Sequence, residues 1–433
     1  MKKYLLIIGI ASAMFAACSS SEEALTQDAT DVIDEENVGY EHLVGTTPIE
    51  FAGVTVGGGA EFEVEEITRS NTTGVPENSQ IGVFCLAYKK LDSSLSDTYF
   101  SWSKGIGEKY NMLNLWQDNT KAHIEFGNNT PNSGVLYWDD PDVPHYYSKY
   151  DYFAYQFAAY QPYTDAIQYA KSTIYAWIPL DGDDDVIYAV SDKPRNNVVT
   201  DELAAYSYGN HYFSEAAALG DITADHKPYF TFNHLLAQVN FDIKLKEGAS
   251  TSGHTFRVDG IRVGNLINIV RLKVANKDAA TFEDGALNYY SDVTSIPTNL
   301  QQKFTDAGYT GRGYFYLREK DGSSISDAKT GNAYTYELST TKKTIGNGIF
   351  IPPLGTTLKV EIFLCDEKGN RFTSSEPITV NKPSSAGWKA GKHYTIPITV
   401  TPPKYFMDET RGTVVQWVND TEASAIEEIE AEF

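Results

Sequence analysis

At 433 residues with 42% apolar side chains, the chain is long enough for more than one packed core. Its formal charge of −23, with no basic stripe to interrupt it, repels phosphate backbones and so excludes nucleic acid as a partner. Tyrosine and phenylalanine are abundant and long 3.6-residue repeats are few, which places the fold in the all-β class.

The chain opens with Lys2 and Lys3, an apolar run from Tyr4 to Phe15, and then Ala16-Ala17-Cys18. This is the layout of a secretory signal. The run is too short to cross a bilayer, which takes roughly 20 residues of helix. Small residues directly before a cysteine match a lipoprotein signal, and Ser19-Ser20-Ser21-Glu22-Glu23 follows as a soluble tether. The expectation is a signal peptide over 1–17 and a lipid on Cys18. The two remaining cysteines, Cys85 and Cys365, sit in alternating apolar runs. They read as small buried hydrophobes rather than as a disulfide framework.

Residues 18–69 form an acidic leader. From Ser19 to Thr68 there are thirteen Asp and Glu and no Lys or Arg, so Arg69 is the first basic residue after Lys3. A trypsin-like protease would find its first site at Arg69-Ser70, beside Asn71-Thr72-Thr73-Gly74. A plain solvated tether accounts for the same charge pattern. Inside the leader, however, Ile49, Phe51, Val54 and Val56 form a strand-like apolar set, with Ala52-Gly53 shifting the parity as a bulge would. Those four side chains would bury roughly 1.5–3 kcal/mol each, so a cut at Arg69 that released them would remove on the order of 6–12 kcal/mol. A domain's whole stability is about 5–15 kcal/mol. A released strand therefore has to be replaced, and strand addition from another chain is the physical solution.

After the leader, Ile81, Val83, Cys85 and Ala87 alternate as a first strand. The aromatic stretch from Tyr137 and Trp138 through Tyr152-Phe153-Ala154-Tyr155 to Tyr163 reads either as a sugar-stacking surface or as core packing. The clearest alternation puts Leu235, Ala237, Val239, Phe241, Ile243 and Leu245 on one face, with Gln238, Asn240, Asp242 and Lys244 on the other. Val258–Val263, Leu358–Leu364 and Tyr394–Val400 are further strands, and Pro397 points the last toward an edge.

Motifs for chemistry are not found. The eight histidines show no metal-ligand spacing, His234 reads as a hydrogen-bonded residue at a core edge, and no nucleophile elbow or phosphate loop occurs. Asp181-Gly182-Asp183-Asp184-Asp185 lacks the spacing of a calcium loop and reads as solvated. No catalytic residue, metal or cofactor is assigned.

Four segments together resemble the Bacteroidetes fimbrillin family, the pilins of type V fimbriae. They are Ile49-Glu50-Phe51 ahead of Ile67-Thr68-Arg69, Tyr152-Phe153-Ala154-Tyr155 with Pro162-Tyr163, Phe230-Thr231-Phe232-Asn233-His234-Leu235, and Gly387-Trp388-Lys389-Ala390-Gly391-Lys392. The resemblance implies two transthyretin-like β-sandwich domains in tandem, at 70–228 and 229–400. It implies export as a lipoprotein through Cys18 to the outer membrane, cleavage at Arg69-Ser70 by an arginine-specific protease, and assembly with other fimbrial subunits by strand exchange. Adhesion to a host or bacterial surface ligand would follow. The rival reading is a surface-tethered glycan-binding lipoprotein that keeps its leader.

The tail spans 401–433, beginning after Val400 with Thr401-Pro402-Pro403. Val414, Val415, Trp417 and Val418 form its strand-prone piece, the candidate donor strand or else a strand of its own sheet. Ile426, Ile429 and Ala431 among glutamates suggest a short amphipathic helix over 423–433.

Overall fold

A computed structural model describes residues 44–51, 53–56, 79–89, 113–127, 130–140, 145–148, 153–170, 173–191, 212–213, 227–249, 251, 253–276, 281–282, 285–317, 336–355, 357–373, 377–381, 387–401 and 429–432. Cys18, Arg69, Ser70 and the 413–418 segment lie outside these residues.

The first half carries β1 (Val44–Pro48), β2 (Gly53–Val56), β3 (Gln80–Lys89), β4 (Leu113–Gly127), β5 (Thr130–Trp138) and β6 (Tyr146–Ser148). Then come β7 (Phe153–Gln161), β8 (Ile167–Ala170), β9 (Thr173–Pro179), β10 (Ile187–Val190), β11 (Tyr212–Phe213) and β12 (Tyr229–His234). The second half holds β13 (Ala237–Leu245), β14 (Phe256–Ile267), β15 (Ile269–Asn276), β16 (Thr281–Phe282), β17 (Leu287–Tyr290) and β18 (Arg312–Tyr316). It ends with β19 (Lys343–Ile351), β20 (Thr357–Asp366), β21 (Arg371–Thr373), β22 (Ile378–Asn381), β23 (His393–Thr401) and β24 (Ile429–Glu432). Among the described residues the one α-helix is α1 (Thr298–Asp306), which buries Leu300 and Phe304 one turn apart. The protein is all-β in class.

Seven strands close a ring in the order β10-β12-β2-β5-β4-β3-β7, with β7 returning to pair with β10 and β11 added outside β7. The period-two alternation of the strands sorts their side chains between two cores. Ile81, Val83 and Cys85 of β3, Phe157 and Ala159 of β7, and Ile187 and Ala189 of β10 face the inside of the ring. Phe84, Ala158, Tyr160 and Tyr188 face the other way and join a second, larger core. These strands are thus buried on both faces, which is why their sequences read as nearly unbroken apolar runs.

The second core lies between two sheets, β19-β13-β23-β24 and β18-β14-β20, with β21 and β22 along the far edge of β20. The long alternation holds: Ala237, Val239, Phe241 and Ile243 are buried, and β13 pairs antiparallel with β19 and parallel with β23. Asp242, on the polar face, is also buried and accepts a bond from Thr344 Oγ1 at 2.6 Å. Cys85 and Cys365 are buried free thiols, and burial pushes the Cys85 thiol well up from its ordinary range.

Strand pairing runs across position 228/229. Tyr229–His234 belongs to the ring, and the chain passes to the second core at Leu235–Leu236. A further sheet is shared between the halves, because β9 pairs with β15 from Thr173↔Asn276 to Pro179↔Ile269, while β8 lies beside β9 and β17 beside β15.

The tail differs from its helical expectation. Residues 429–432 are a strand, β24, laid parallel on β23 from Ile398↔Ile429 to Thr401↔Glu432. The free edge of β23 offers unpaired backbone donors and acceptors just past Pro397, and these outweigh the weak helical period of so short a segment. Pro397 sits one residue before the paired stretch, where a missing N–H costs no ladder bond on that edge.

Candidate assembly site: the seat of the leader strand

The four apolar leader residues named from sequence all reach one place. Ile49, Phe51, Val54 and Val56 are each no more than 5% exposed and lie in the ring core with Phe157, Phe230 and Phe232. β2 pairs parallel with β12 over Tyr229↔Gly53 to Phe232↔Val56, and antiparallel with β5 at Val54↔Gly134 and Thr55↔Ser133. It is the seam that joins β12 to β5 and closes the ring.

The seat is built for a backbone to come close. A Cβ on Gly134, which faces Val54, would lie 2.4 Å from the Glu125 carbonyl oxygen of β4, so glycine is required there for β5 to lie against β4. A Cβ on Gly53 would press on the Tyr229 ring at 3.3 Å. Upstream, the Ile49 amide donates to the His145 carbonyl at 2.7 Å, and Trp138 Nε1 donates to the Ile49 carbonyl at 2.9 Å. The Phe51 ring packs on Trp138, Phe157 and Phe230 at centroid distances of 5.1, 5.9 and 5.4 Å. Such aromatic pairs add roughly 0.5–1.5 kcal/mol each to plain burial. β1 pairs with β6, and Glu50 pairs with Lys227 at the rim. Burial holds the His145 imidazole below its usual range, with the Asp140 charge opposing.

Sequence reasoning named the occupant of this seat but not its lining. His234 lies at the end of β12, and its Nδ1 meets the Asp185 carboxylate, which also accepts from the Leu236 amide at 3.2 Å. Asp185 is buried, and that burial raises its carboxyl above the ordinary carboxylate range against the pull of His234. The acidic loop is therefore not wholly solvated: its last carboxylate ties the ring to the joint at Leu235–Leu236. Among the described residues no cluster of His, Cys, Asp or Glu is arranged to hold a metal, and no helix is long and apolar enough to cross a membrane.

The described aromatics of the 137–163 stretch are mainly core. Tyr155, Phe157 and Tyr160 are fully buried, and the Tyr160 hydroxyl donates to Asn119 Oδ1 at 2.7 Å. Among the described residues of this stretch, Tyr137, at 45% exposure, is the large aromatic that remains outside.

No protein-family model matches the chain. No curated protein matches it. Among solved structures, a fimbrial protein from Bacteroides vulgatus is similar at 14% identity and a TM-score of 0.34, covering 81% of this chain and 94% of that one. A candidate cell adhesion protein from Bacteroides uniformis is similar at 13% identity and a TM-score of 0.34, covering 81% and 93%. The fimbrial anchor protein Mfa2 from Porphyromonas gingivalis is similar at 10% identity and a TM-score of 0.20, covering 76% and 82%. These neighbours are fimbrial and adhesion proteins of the Bacteroidetes, the kind of protein the fimbrillin-like segments resemble. At such scores the likeness carries no weight for function, which has to come from this chain's own residues.

Proposed function

We propose that the chain is a structural subunit of cell-surface fimbriae whose function is assembly rather than catalysis, in support of adhesion. It is delivered to the outer membrane as a lipoprotein through Cys18, cut between Arg69 and Ser70 by an arginine-specific protease, and joined to other subunits by donation of a β-strand. The body is read as two transthyretin-like sandwiches, 70–228 and 229–400, the second lending Tyr229–His234 to the ring of the first, and the tail with Val414, Val415, Trp417 and Val418 is the donor. The cut would also remove thirteen acidic and three basic residues, taking the formal charge from −23 to −13.

One observation carries this reading. The strand that seals the ring is the piece of chain upstream of the leader's sole arginine, and it brings four core side chains with it. A cut there would leave an open seam flanked by two unpaired strand edges, a state that another strand relieves. Arg69→Ala is expected to leave the precursor uncut and monomeric on a native gel. Polymer formed by that variant at the wild-type level overturns the mechanism. N-terminal sequencing of surface-extracted protein is expected to begin at Ser70, whereas a lipidated start at Cys18 in the functional form supports a tethered binder instead.

A further inference from the structure

The outer face of the sheet β18-β14-β20 carries an aromatic strip. Alternation sends Val263, Phe315, Val360 and Ile362 into the second core and turns Arg312, Tyr314, Tyr316, Arg262, Glu361 and Phe363 the other way. Tyr314 and Tyr316 are 49% and 44% exposed, two of the four large apolar side chains left so open among the described residues. They stand two apart on β18, an edge strand, so both project from one face about 7 Å apart.

The strip is braced from below. Register sets Tyr316, Arg262 and Glu361 in one row. Arg262 donates from Nη2 to Glu361 Oε2 at 2.6 Å and from Nη1 to the Tyr316 hydroxyl at 3.4 Å. Its guanidinium lies 4.1 Å from the Tyr314 ring centroid and 5.2 Å from that of Phe363. Tyr314 can lean over β14 because residue 264 is glycine: a Cβ there would lie 2.7 Å from Tyr314 Cε1. Rings held in this way are ordered before a ligand arrives, which removes part of the entropy cost of binding.

The charges of this face are unevenly answered. Glu361 pairs with Arg262, and Asp259 pairs with Arg371. Arg312, at the head of the strip, donates from Nη1 to the Asn265 carbonyl at 2.9 Å, while its Nε and Nη2 have no partner among the described residues. Lys359, opposite Gly264, donates to Thr379 Oγ1 and likewise meets no carboxylate among them. In a chain of formal charge −23, two cations on one aromatic face are left for something outside the fold.

We infer, resting on the adhesion part of the reading above, that this strip binds an oligosaccharide bearing a carboxylate, a uronic or sialic acid. The C–H groups of a pyranose carry slight positive charge and suit the negative faces of Tyr314 and Tyr316. The open donors of Arg312 form a planar fork that matches a carboxylate. Size selects a sugar over a protein. From Arg312 to Tyr316 the strip runs about 13 Å. Its two half-exposed rings offer on the order of 200 Å², far below the ~800 Å² that a stable protein partner covers.

The test is isothermal titration calorimetry of the full uncut chain with trigalacturonate and sialyllactose, against maltotriose and lactose as neutral counterparts. At least one acidic sugar is expected to bind about tenfold or more tightly than its counterpart, with a preference that fades as salt is raised. Arg312→Gln should abolish that preference, and Arg312→Lys, which keeps the charge but not the fork, should restore only part of it. Tyr314→Ala should weaken binding about five- to tenfold, as the loss of one stacking contact implies. Both side chains are exposed, so Tm should stay at the wild-type value in these variants. Failure of both acidic sugars to bind overturns the inference, as does binding that neither Arg312→Gln nor Tyr314→Ala reduces. Self-association of the chain that Tyr314→Ala abolishes, seen in analytical ultracentrifugation, makes the face a protein interface and overturns it too. Because the chain is uncut, none of these outcomes bears on strand donation, which the Arg69→Ala gel decides separately.

Discussion

β2 of the leader and β24 of the tail are both four-residue strands, and the two are held in opposite ways. β2 has neighbours on both edges and its inward residues lie in the ring core, while among the described residues β24 has one neighbour, β23, and adds to the side of an open sheet. Removing the first breaches a core; removing the second bares an edge. A strand's worth depends less on its length than on whether it closes something.

The largest effect that would sharpen this contrast is at the middle of the leader. Phe51→Ala should cost about 3–5 kcal/mol in the uncut precursor, read as a shift in a urea melt with unchanged slope, because the ring cavity cannot collapse around three aromatic neighbours. Deleting residues 429–433 should cost no more than about 1–2 kcal/mol, the net value of a short one-sided ladder. If the deletion costs as much as Phe51→Ala, the two ends are equivalent and the contrast fails. Trp138→Phe keeps most of the packing on Phe51 but loses the bond to the Ile49 carbonyl, for an expected loss of about 1 kcal/mol. Combined with Phe51→Ala in a double-mutant cycle, it should show coupling, since the rings touch.

A smaller effect concerns pH. Burial lowers the folded-state pKa of His145, beside the leader, and of His393, at the start of β23. The unfolded chain therefore binds more protons in the window below the ordinary histidine value of about 6.5, and stability is present above that value and lost as pH falls through the folded pKa values. A thermal melt series from pH 7.5 to 5 should show Tm declining across this window. His145→Gln should flatten the part of the slope that belongs to the leader seat, and His393→Gln the part belonging to the tail's sheet. A slope untouched by either variant assigns the acid sensitivity elsewhere.

The leader strand was legible because its signal is local: Ile49 and Phe51, then Val54 and Val56, are spaced two apart, and the parity change between the pairs falls at Ala52-Gly53, where a bulge would be expected. β13 was legible for the same reason, as were Cys85 and Cys365, whose apolar flanks announce burial. The ring was not. Its closure depends on which edge meets which, as with β10 between β7 and β12, and no period along the chain encodes a partner. The Asp185–His234 contact was hidden likewise, since its two residues are 49 apart and each reads alone as an ordinary loop acid and an edge histidine. The tail misled because three apolar residues among glutamates fit a helical stripe and a short strand equally well, and the deciding influence, the unpaired edge of β23, lies elsewhere in the sequence.

The two-faced burial of β3, β7 and β10 has a mechanical consequence. Phe84, Ala158, Tyr160 and Tyr188 key the back of the ring into the second core, while on β4 and β5 Lys121, Glu125 and Tyr137 turn toward solvent. One wall of the seam thus hangs from a braced frame through β12 and β10, and the other is a lip held through β4 alone. Were the seam to open as proposed, the lip would be the jaw that swings and the frame the jaw that stays. In the proposed assembly, a pull along the polymer would be borne by the fixed jaw and passed directly into the larger core.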